Sequence, residues 1–271
     1  MAKPLLEVRN LKTYFYVGDK IVRAVDGVSY SVDEGKTLGL VGESGCGKSV
    51  SALSILGLIP SPPGKIEEGE IIFDGRDVTG LTPDQITKRG IARTFQNVRL
   101  FPNMTVLENI MVAQHSRTSK GVLPALFQTP GFRKEEREIR QRAREVLGFF
   151  GTRLVGYRFD QPAFTLSYAN RRRLEIARAM GTQPRLLLLD EPTAGMNPSE
   201  TAELTGLIRK LRDERGFTIV VIEHEMKVVR DVSDRVVVLD HGVQIAQGTY
   251  DEVSTNEDVI EAYLGRPAEA H

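Results

Sequence analysis

The stretch KTLGLVGESGCGKSVSALSILGL, residues 36–58, decides the fold. A short apolar run, KTLGLV, reads as a buried strand, and SVSALSILGL reads as a helix. Between them Gly42-Glu43-Ser44-Gly45-Cys46-Gly47-Lys48-Ser49 fits the pattern G-x-x-x-x-G-K-[ST]. Strand, glycine loop and helix, in that order, form a polyphosphate cradle. The glycines let backbone N–H groups wrap the phosphates, Lys48 supplies charge to the β and γ positions, and Ser49 offers a hydroxyl to Mg²⁺. The whole run, with Val50 at its end, is assigned to nucleotide contact.

A second anion site lies about 120 residues downstream, in LSYANRRRLEIARAM, residues 166–180. Leu174, Ala177 and Met180 form one apolar stripe there, with arginines on the other faces. A helix starting near Ser167 exposes unpaired N–H groups and a positive dipole end. Two phosphate-friendly sites in one chain need an explanation.

Four further residues stand where strands end. LLLLDE, residues 186–191, is a buried strand with Asp190 at its tip, placed to hold a metal through its water shell, and Glu191 next to it as general base. Gln96, in RTFQ, is a candidate for Mg²⁺ and the lytic water. His224, closing TIVVIEH, is a candidate for reaching the γ-phosphate.

The rest of the chain builds outward from these. The first hundred residues read as strands and turns, among them LLEVRNLKTYFYV, VRAVDGVSYSV and GEIIFDGRDV. From Pro102 to about Phe150 the pattern is helical, with Ile139, Ala143, Val146, Leu147 and Phe150 at helical spacing. Past Ser167, helices alternate with continuous apolar runs that fit strands buried on both faces. Asp240-His241-Gly242 predicts a closing antiparallel hairpin. The expected fold is α/β, a P-loop core of mostly parallel sheet flanked by helices, with an antiparallel β-subdomain and an inserted helical subdomain. Residues 1–96 and 166–271 make the core and 97–165 the helical part of one domain. KGVLPALFQTPGF, residues 120–132, is apolar for a surface loop, which fits either local packing within the helical part or part of a dock for a membrane subunit.

Composition narrows the class. Thirty-six basic residues balance 36 acidic ones, so no overall positive field attracts nucleic acid. One cysteine excludes an intramolecular disulfide framework and multi-cysteine zinc sites. No apolar run approaches the ~20 residues needed to span a bilayer. Cys46, inside the phosphate loop, is a candidate reactive thiol protected by nucleotide.

Taken in this order, the residues resemble the nucleotide-binding subunit of an ABC transporter over essentially the whole chain. By that resemblance GESGCGKS is Walker A, RTFQ supplies the Q-loop glutamine and LSYAN is the signature motif. LLLLDE is Walker B with the catalytic glutamate, AGMN the D-loop and His224 the switch histidine. Phe15, in LKTYFYV, matches the aromatic that stacks on adenine, with Tyr16 beside it. The resemblance implies that Ser167, Tyr168, Ala169 and Asn170 of one subunit cap ATP held by the phosphate loop of another. The two anion sites then belong to two composite sites of a homo- or heterodimer. It further implies two transmembrane permease subunits, an indirect solute-binding partner and a place at the cytoplasmic face of the membrane.

GIARTFQNVRLFPNMTVLENIMVAQH, RRRLEIARAM, EPTAGMNPSE and DVIEAYLG resemble the ATPase of branched-chain amino-acid importers. VGESGCGKSVSALSILGLIPSPPGKIEEGEIIFDGRD and LLEVRNLKTYF resemble peptide importer ATPases. Import of branched-chain or related amino acids leads, and peptide import is the alternative. The signature departs from the family pattern LSGGQ or LSYGQ, with Ala169 for the second glycine and Asn170 for Gln. A methyl crowding the γ-phosphate would weaken this face, making the chain an ATP-binding partner of a competent second ATPase. Replacing Ala169 by Gly should then speed hydrolysis.

Overall fold

The computed structural model describes residues 3–117 and 129–264. Residues 120–128 of the apolar stretch read as local packing or a dock lie outside these.

The first sheet is antiparallel. Strands β1 (Pro4–Val17) and β2 (Lys20–Asp33) form a long hairpin, and β4 (Gly64–Phe73) with β5 (Arg76–Asp77) extends it in the order β2-β1-β4-β5. Along β1 Leu6 and Val8 are buried on one parity and then Leu11 and Thr13 on the other, with Leu5 buried beside Leu6. The parity changes at an irregularity between Val8 and Leu11, where Asn10 takes a φ of 46°. A bulge of this kind re-aims the side chains beyond it. Thr13 consequently bonds Ser54 on the helix after the phosphate loop, Oγ1 to Oγ at 2.8 Å.

The second sheet has the order β10-β9-β3-β8-β7-β6. Its strands are β3 (Thr37–Val41), β6 (Ile91–Arg93), β7 (Leu186–Asp190), β8 (Thr218–Ile222), β9 (Arg235–Asp240) and β10 (Val243–Gly248). All neighbours run parallel except β9 and β10, whose hairpin turns at His241 and Gly242 with φ of 44° and 84°. Strands β3, β7 and β8 are buried along their whole length, as continuous apolar runs require. Leu186 and Leu188 face the core shared with the first sheet, while Leu187 and Leu189 face the helical side. Parallel strands bring their C-terminal ends to one edge, where ligands bind in open α/β sheets.

The helices are α1 (Lys48–Ile55), α2 (Pro83–Arg89), α3 (Val106–Ala113), α4 (Pro130–Gly148), α5 (Tyr168–Gly181), α6 (Pro198–Arg215), α7 (Met226–Val232), α8 (Tyr250–Ser254) and α9 (Glu257–Leu264). On α4, Ala143 and Leu147 are buried as the spacing predicted, and Glu136–Arg140 and Glu138–Arg142 pair on its outer side. Helix α3 opens with a capping box: Thr105 Oγ1 accepts from Glu108 N at 3.1 Å, and Glu108 Oε2 from Thr105 N at 2.8 Å. Thr105→Ala should cost about 1 kcal/mol, read as a thermal shift of about 2–4 °C. The Thr105 backbone N–H holds the Glu108 carboxyl below its ordinary 4.5. Its contribution is therefore present above that pH and lost as pH falls through the lower folded-state value.

Helix α5 differs from the expectation of one apolar stripe. Leu174, Ala177 and Met180 are buried, but so are Arg172, Arg173 and Glu175. The helix packs against α3, α4 and the strands β6 and β7, so most of its faces are internal and its charges need internal partners.

Candidate nucleotide site

The phosphate loop joins β3 to α1. Glu43, Ser44, Gly45 and Ser49 are exposed, Val50 is half-buried, and Gly42, Cys46, Gly47 and Lys48 are buried beneath. Gly47 has a φ of 101°, and a Cβ there would lie 2.3 Å from the carbonyl of Ala24. Only glycine lets the loop sit this close to β2. The Lys48 ammonium donates to the carbonyls of Gly42 and Glu43, both at 2.6 Å, and lies 3.4 Å from Cys46 Sγ. The loop thus orients its own cation. Cys46 is packed inside the loop, so access to the thiol is poorer than its sequence position suggests.

Three neighbouring strand ends supply the rest. Asp190, at the tip of β7, pairs through Oδ2 with Arg93 of β6, a partner sequence reasoning did not find. Its Oδ1 is buried and has no hydrogen-bond partner among the described residues. A carboxylate oxygen left open at the end of β7 is a donor that suits a hard cation keeping most of its water, as does the exposed Ser49 hydroxyl of the loop-helix junction. Glu191 follows with a φ of 42°, unusual for a non-glycine residue, held by its N–H donating to Ile222 O at 2.8 Å. Gln96, past the end of β6, donates from Nε2 to Glu191 Oε2 at 3.0 Å. His224 emerges beyond β8 with its side chain 61% exposed and Nδ1 4.0 Å from Glu223. The structure therefore brings Lys48, Gln96, Asp190, Glu191 and His224 to one sheet edge.

Phe15 shares the face of β1 that Thr13 turns toward α1, and it packs at Gly64, where an added Cβ would meet its ring at 2.9 Å. Tyr16 alternates to the opposite face, with its hydroxyl donating to Glu67 at 2.6 Å.

The second anion site starts α5 and lies beside Gly195 of the loop after Glu191, with Tyr168 within 3.5 Å of a Cβ placed there. Ser167 and Tyr168 are exposed. Ser167 Oγ caps its own helix by accepting from Asn170 N at 3.4 Å, and Asn170 Oδ1 accepts from Arg173 Nη1 at 3.1 Å. Ala169 is only 2% exposed. Its methyl packs within its own chain, which removes the geometric basis for crowding a neighbour's phosphate. Ala169→Gly should lower stability by roughly 0.5–1 kcal/mol. Turnover in the assembled complex should stay within about twofold of the parent, since so small a change in barrier is under 0.5 kcal/mol. A several-fold rise in turnover would reinstate the crowding.

Two groups escaped the sequence reading. Arg172 donates to the backbone carbonyls of Phe95 and Gln96, to Glu191 O at 3.3 Å and to Glu175 Oε2 at 3.1 Å. Glu175 Oε1 in turn accepts from the N–H groups of Phe95 and Arg99, each at 3.2 Å. The pair clasps the Q-loop backbone from α5, and its spacing of three residues was the available signal. Glu223 is fully buried at the end of β8, and desolvation pushes its carboxyl above the ordinary range. An acid directly after the apolar run Ile219–Ile222 was the signal there.

The pattern of the ABC transporter family matches residues 25–194, and that of the branched-chain amino acid ATP-binding cassette transporter matches residues 243–269. The high-affinity branched-chain amino acid transport ATP-binding protein BraF of Pseudomonas aeruginosa is 44% identical, with 98% of this chain and 99% of BraF aligned. LivG of Escherichia coli K12, of the same description, is 42% identical over 98% and 99% of the two chains. The oligopeptide transport ATP-binding protein AppD of Bacillus subtilis is 35% identical, over 92% of this chain and 73% of AppD. Among solved structures, the ADP conformation of MJ1267, an ATP-binding cassette of an ABC transporter, superposes with a TM-score of 0.79. It is 30% identical and the match covers 98% of this chain and all of that one. With the phosphate loop, the paired acids and the strand-end glutamine and histidine on one sheet edge, the chain belongs to the ABC transporter family of ATP-binding proteins.

Proposed function

We propose that this chain is the ATP-hydrolysing subunit of an importer for branched-chain amino acids, working as a dimer on two permease subunits. The observation that carries the catalytic part is the convergence on Glu191. Its carboxylate accepts from Gln96 at 3.0 Å, and its neighbour Asp190 keeps one oxygen open. Glu191 takes the proton of the attacking water, Gln96 aligns that water, and Lys48 holds the transferring phosphoryl group with the loop amides. His224, exposed at the same edge, meets the γ-phosphate. Asp190, Ser49 and Gln96 would hold Mg²⁺, which supplies charge neutralisation on the phosphates. Phe15 stacks on adenine.

Ser167, Tyr168 and the start of α5 close over nucleotide held by the partner, which accounts for the second anion site. The solved MJ0796 cassette, 27% identical with a TM-score of 0.72, is a dimer. Among the described residues no helix is long and apolar enough to cross a membrane. Contact with the membrane then goes through the permeases at the cytoplasmic face. A cleft between the core and the helical part, lined by Phe95, Phe101, Val112 and Arg178, is the proposed dock. Residues 97–165 are the helical unit that carries it.

The substrate class follows the BraF and LivG likeness and the branched-chain pattern over residues 243–269. Purified with its permeases and reconstituted in liposomes, the complex should show ATPase activity stimulated by a binding protein loaded with leucine, isoleucine or valine. Stimulation by a peptide-loaded binding protein instead would favour the reading that AppD suggests.

A further inference from the structure

Glu223 has no exposed surface, yet the partners of its carboxylate are all donors. One carboxylate oxygen, Oε1, accepts from Thr193 N at 3.1 Å and from the Thr193 hydroxyl at 2.6 Å. The other, Oε2, accepts from the backbone N–H of His224 at 3.3 Å. Three donors and no acceptor favour the ionised form, against a burial cost that pushes the other way. The main chain of Glu223 is also engaged, its N–H donating to Leu40 O at 3.4 Å on the strand that leads into the phosphate loop.

Thr193 stands two residues past Glu191, in the turn whose first N–H is already fixed to Ile222 O at 2.8 Å. The turn is therefore fastened to the end of β8 twice, once by backbone and once through the Glu223 carboxylate. The second fastening is shared with the residue that carries the exposed imidazole. Glu191 itself sits at a φ of 42°, a conformation that its surroundings must hold. An apolar side chain at 223 would fill the space without the desolvation cost, so fixing the turn is what the charge contributes.

We propose that Glu223 is a positioning residue for hydrolysis: its carboxylate locks the Glu191–Thr193 turn in register with His224, so that base and imidazole are presented at a fixed spacing. This deepens the reading of Glu191 as base and rests on it.

The test is steady-state ATPase of the assembled complex against ATP concentration, for Thr193→Val, Thr193→Ser, Glu223→Gln and the Thr193→Val/Glu223→Gln double variant, with Glu191→Gln alongside. Losing one hydrogen bond to a charged acceptor corresponds to about a tenfold fall in kcat. That fall is expected in Thr193→Val and Glu223→Gln, with KM for ATP within about twofold, because nucleotide is held by the phosphate loop. Thr193→Ser keeps the hydroxyl and should restore most of kcat. The double variant should be no slower than the slower single one, since both remove the same contact. Should Glu223→Gln fail to fold, the Thr193→Val and Thr193→Ser pair decides alone. A loss confined to KM, losses that multiply in the double variant, or Thr193→Ser as slow as Thr193→Val overturns the proposal. Normal kcat in both single variants with Glu191→Gln inactive overturns the positioning role only. Normal kcat in all three removes the base assignment with it.

Discussion

Glu191→Gln is expected to leave ATP binding intact and to lower turnover by at least about 10²-fold, the usual cost of losing a general base. The substitution is conservative in shape. A glutamine at this position still offers an oxygen to Gln96 Nε2, so the 3.0 Å contact and the turn around it should survive. Its N–H to Ile222 O bond is backbone and is untouched. What disappears is the capacity to accept a proton from water. Binding depends instead on Lys48, whose ammonium is fixed by the carbonyls of Gly42 and Glu43 and not by Glu191. ATP should then accumulate in a closed dimer, seen as an earlier peak in size exclusion with Mg-ATP, alongside an unchanged affinity in titration. Near-normal hydrolysis would move the base elsewhere.

Arg172→Met should be the most damaging single change to stability, costing about 3–5 kcal/mol. The guanidinium is 1% exposed and pairs with an equally buried Glu175. Removing it leaves that carboxylate unpaired in the interior, and it strips the donor from the carbonyls of Phe95, Gln96 and Glu191. Methionine fills similar volume, so the loss is electrostatic rather than a cavity. Thermal denaturation should show a fall of roughly 6–20 °C for a chain of this size. The companion variant Arg172→Met/Glu175→Leu separates the two contributions. Removing both charges should recover part of the loss, because the unpaired acid is gone while the Q-loop carbonyls remain unserved. A single variant within about 1 kcal/mol of the parent would mean that water enters to solvate Glu175.

What could be read from the sequence divides along a physical line. The strands β3, β7 and β8 were legible because burial on both faces demands an uninterrupted apolar run. The phosphate loop was legible because its geometry is dictated locally, by glycines at 42, 45 and 47 whose φ values of 149°, 84° and 101° few other residues tolerate. The hairpin at His241-Gly242 was legible for the same reason. Buried charge was not. Arg93 and Asp190 are partners across 97 positions, and Arg172 reaches Phe95 across 77. A helix carrying three adjacent arginines, 171–173, reads as solvated until its partners are known. Ala169 shows the limit of a family pattern: the motif identified the helix start, but only packing showed which way the methyl points.

The phosphate loop is held from two remote places. Gly47 lies against Ala24 of β2, the carbonyl of Cys46 accepts from the N–H of Gly242 at 3.1 Å, and Gly242 O accepts from Asp26 at 2.7 Å. The cradle thus depends on chain near positions 24, 46 and 242 at once, although its motif is eight residues long. During synthesis the motif leaves the ribosome long before the last hairpin exists to brace it. Contacts of such sequence separation form late in folding, after their loop-closure entropy has been met. Nucleotide that binds only the braced loop stabilises only the finished chain, by mass action. In the cell, ATP would therefore act as a checkpoint on completion, favouring full-length molecules over nascent or truncated ones that carry an intact motif.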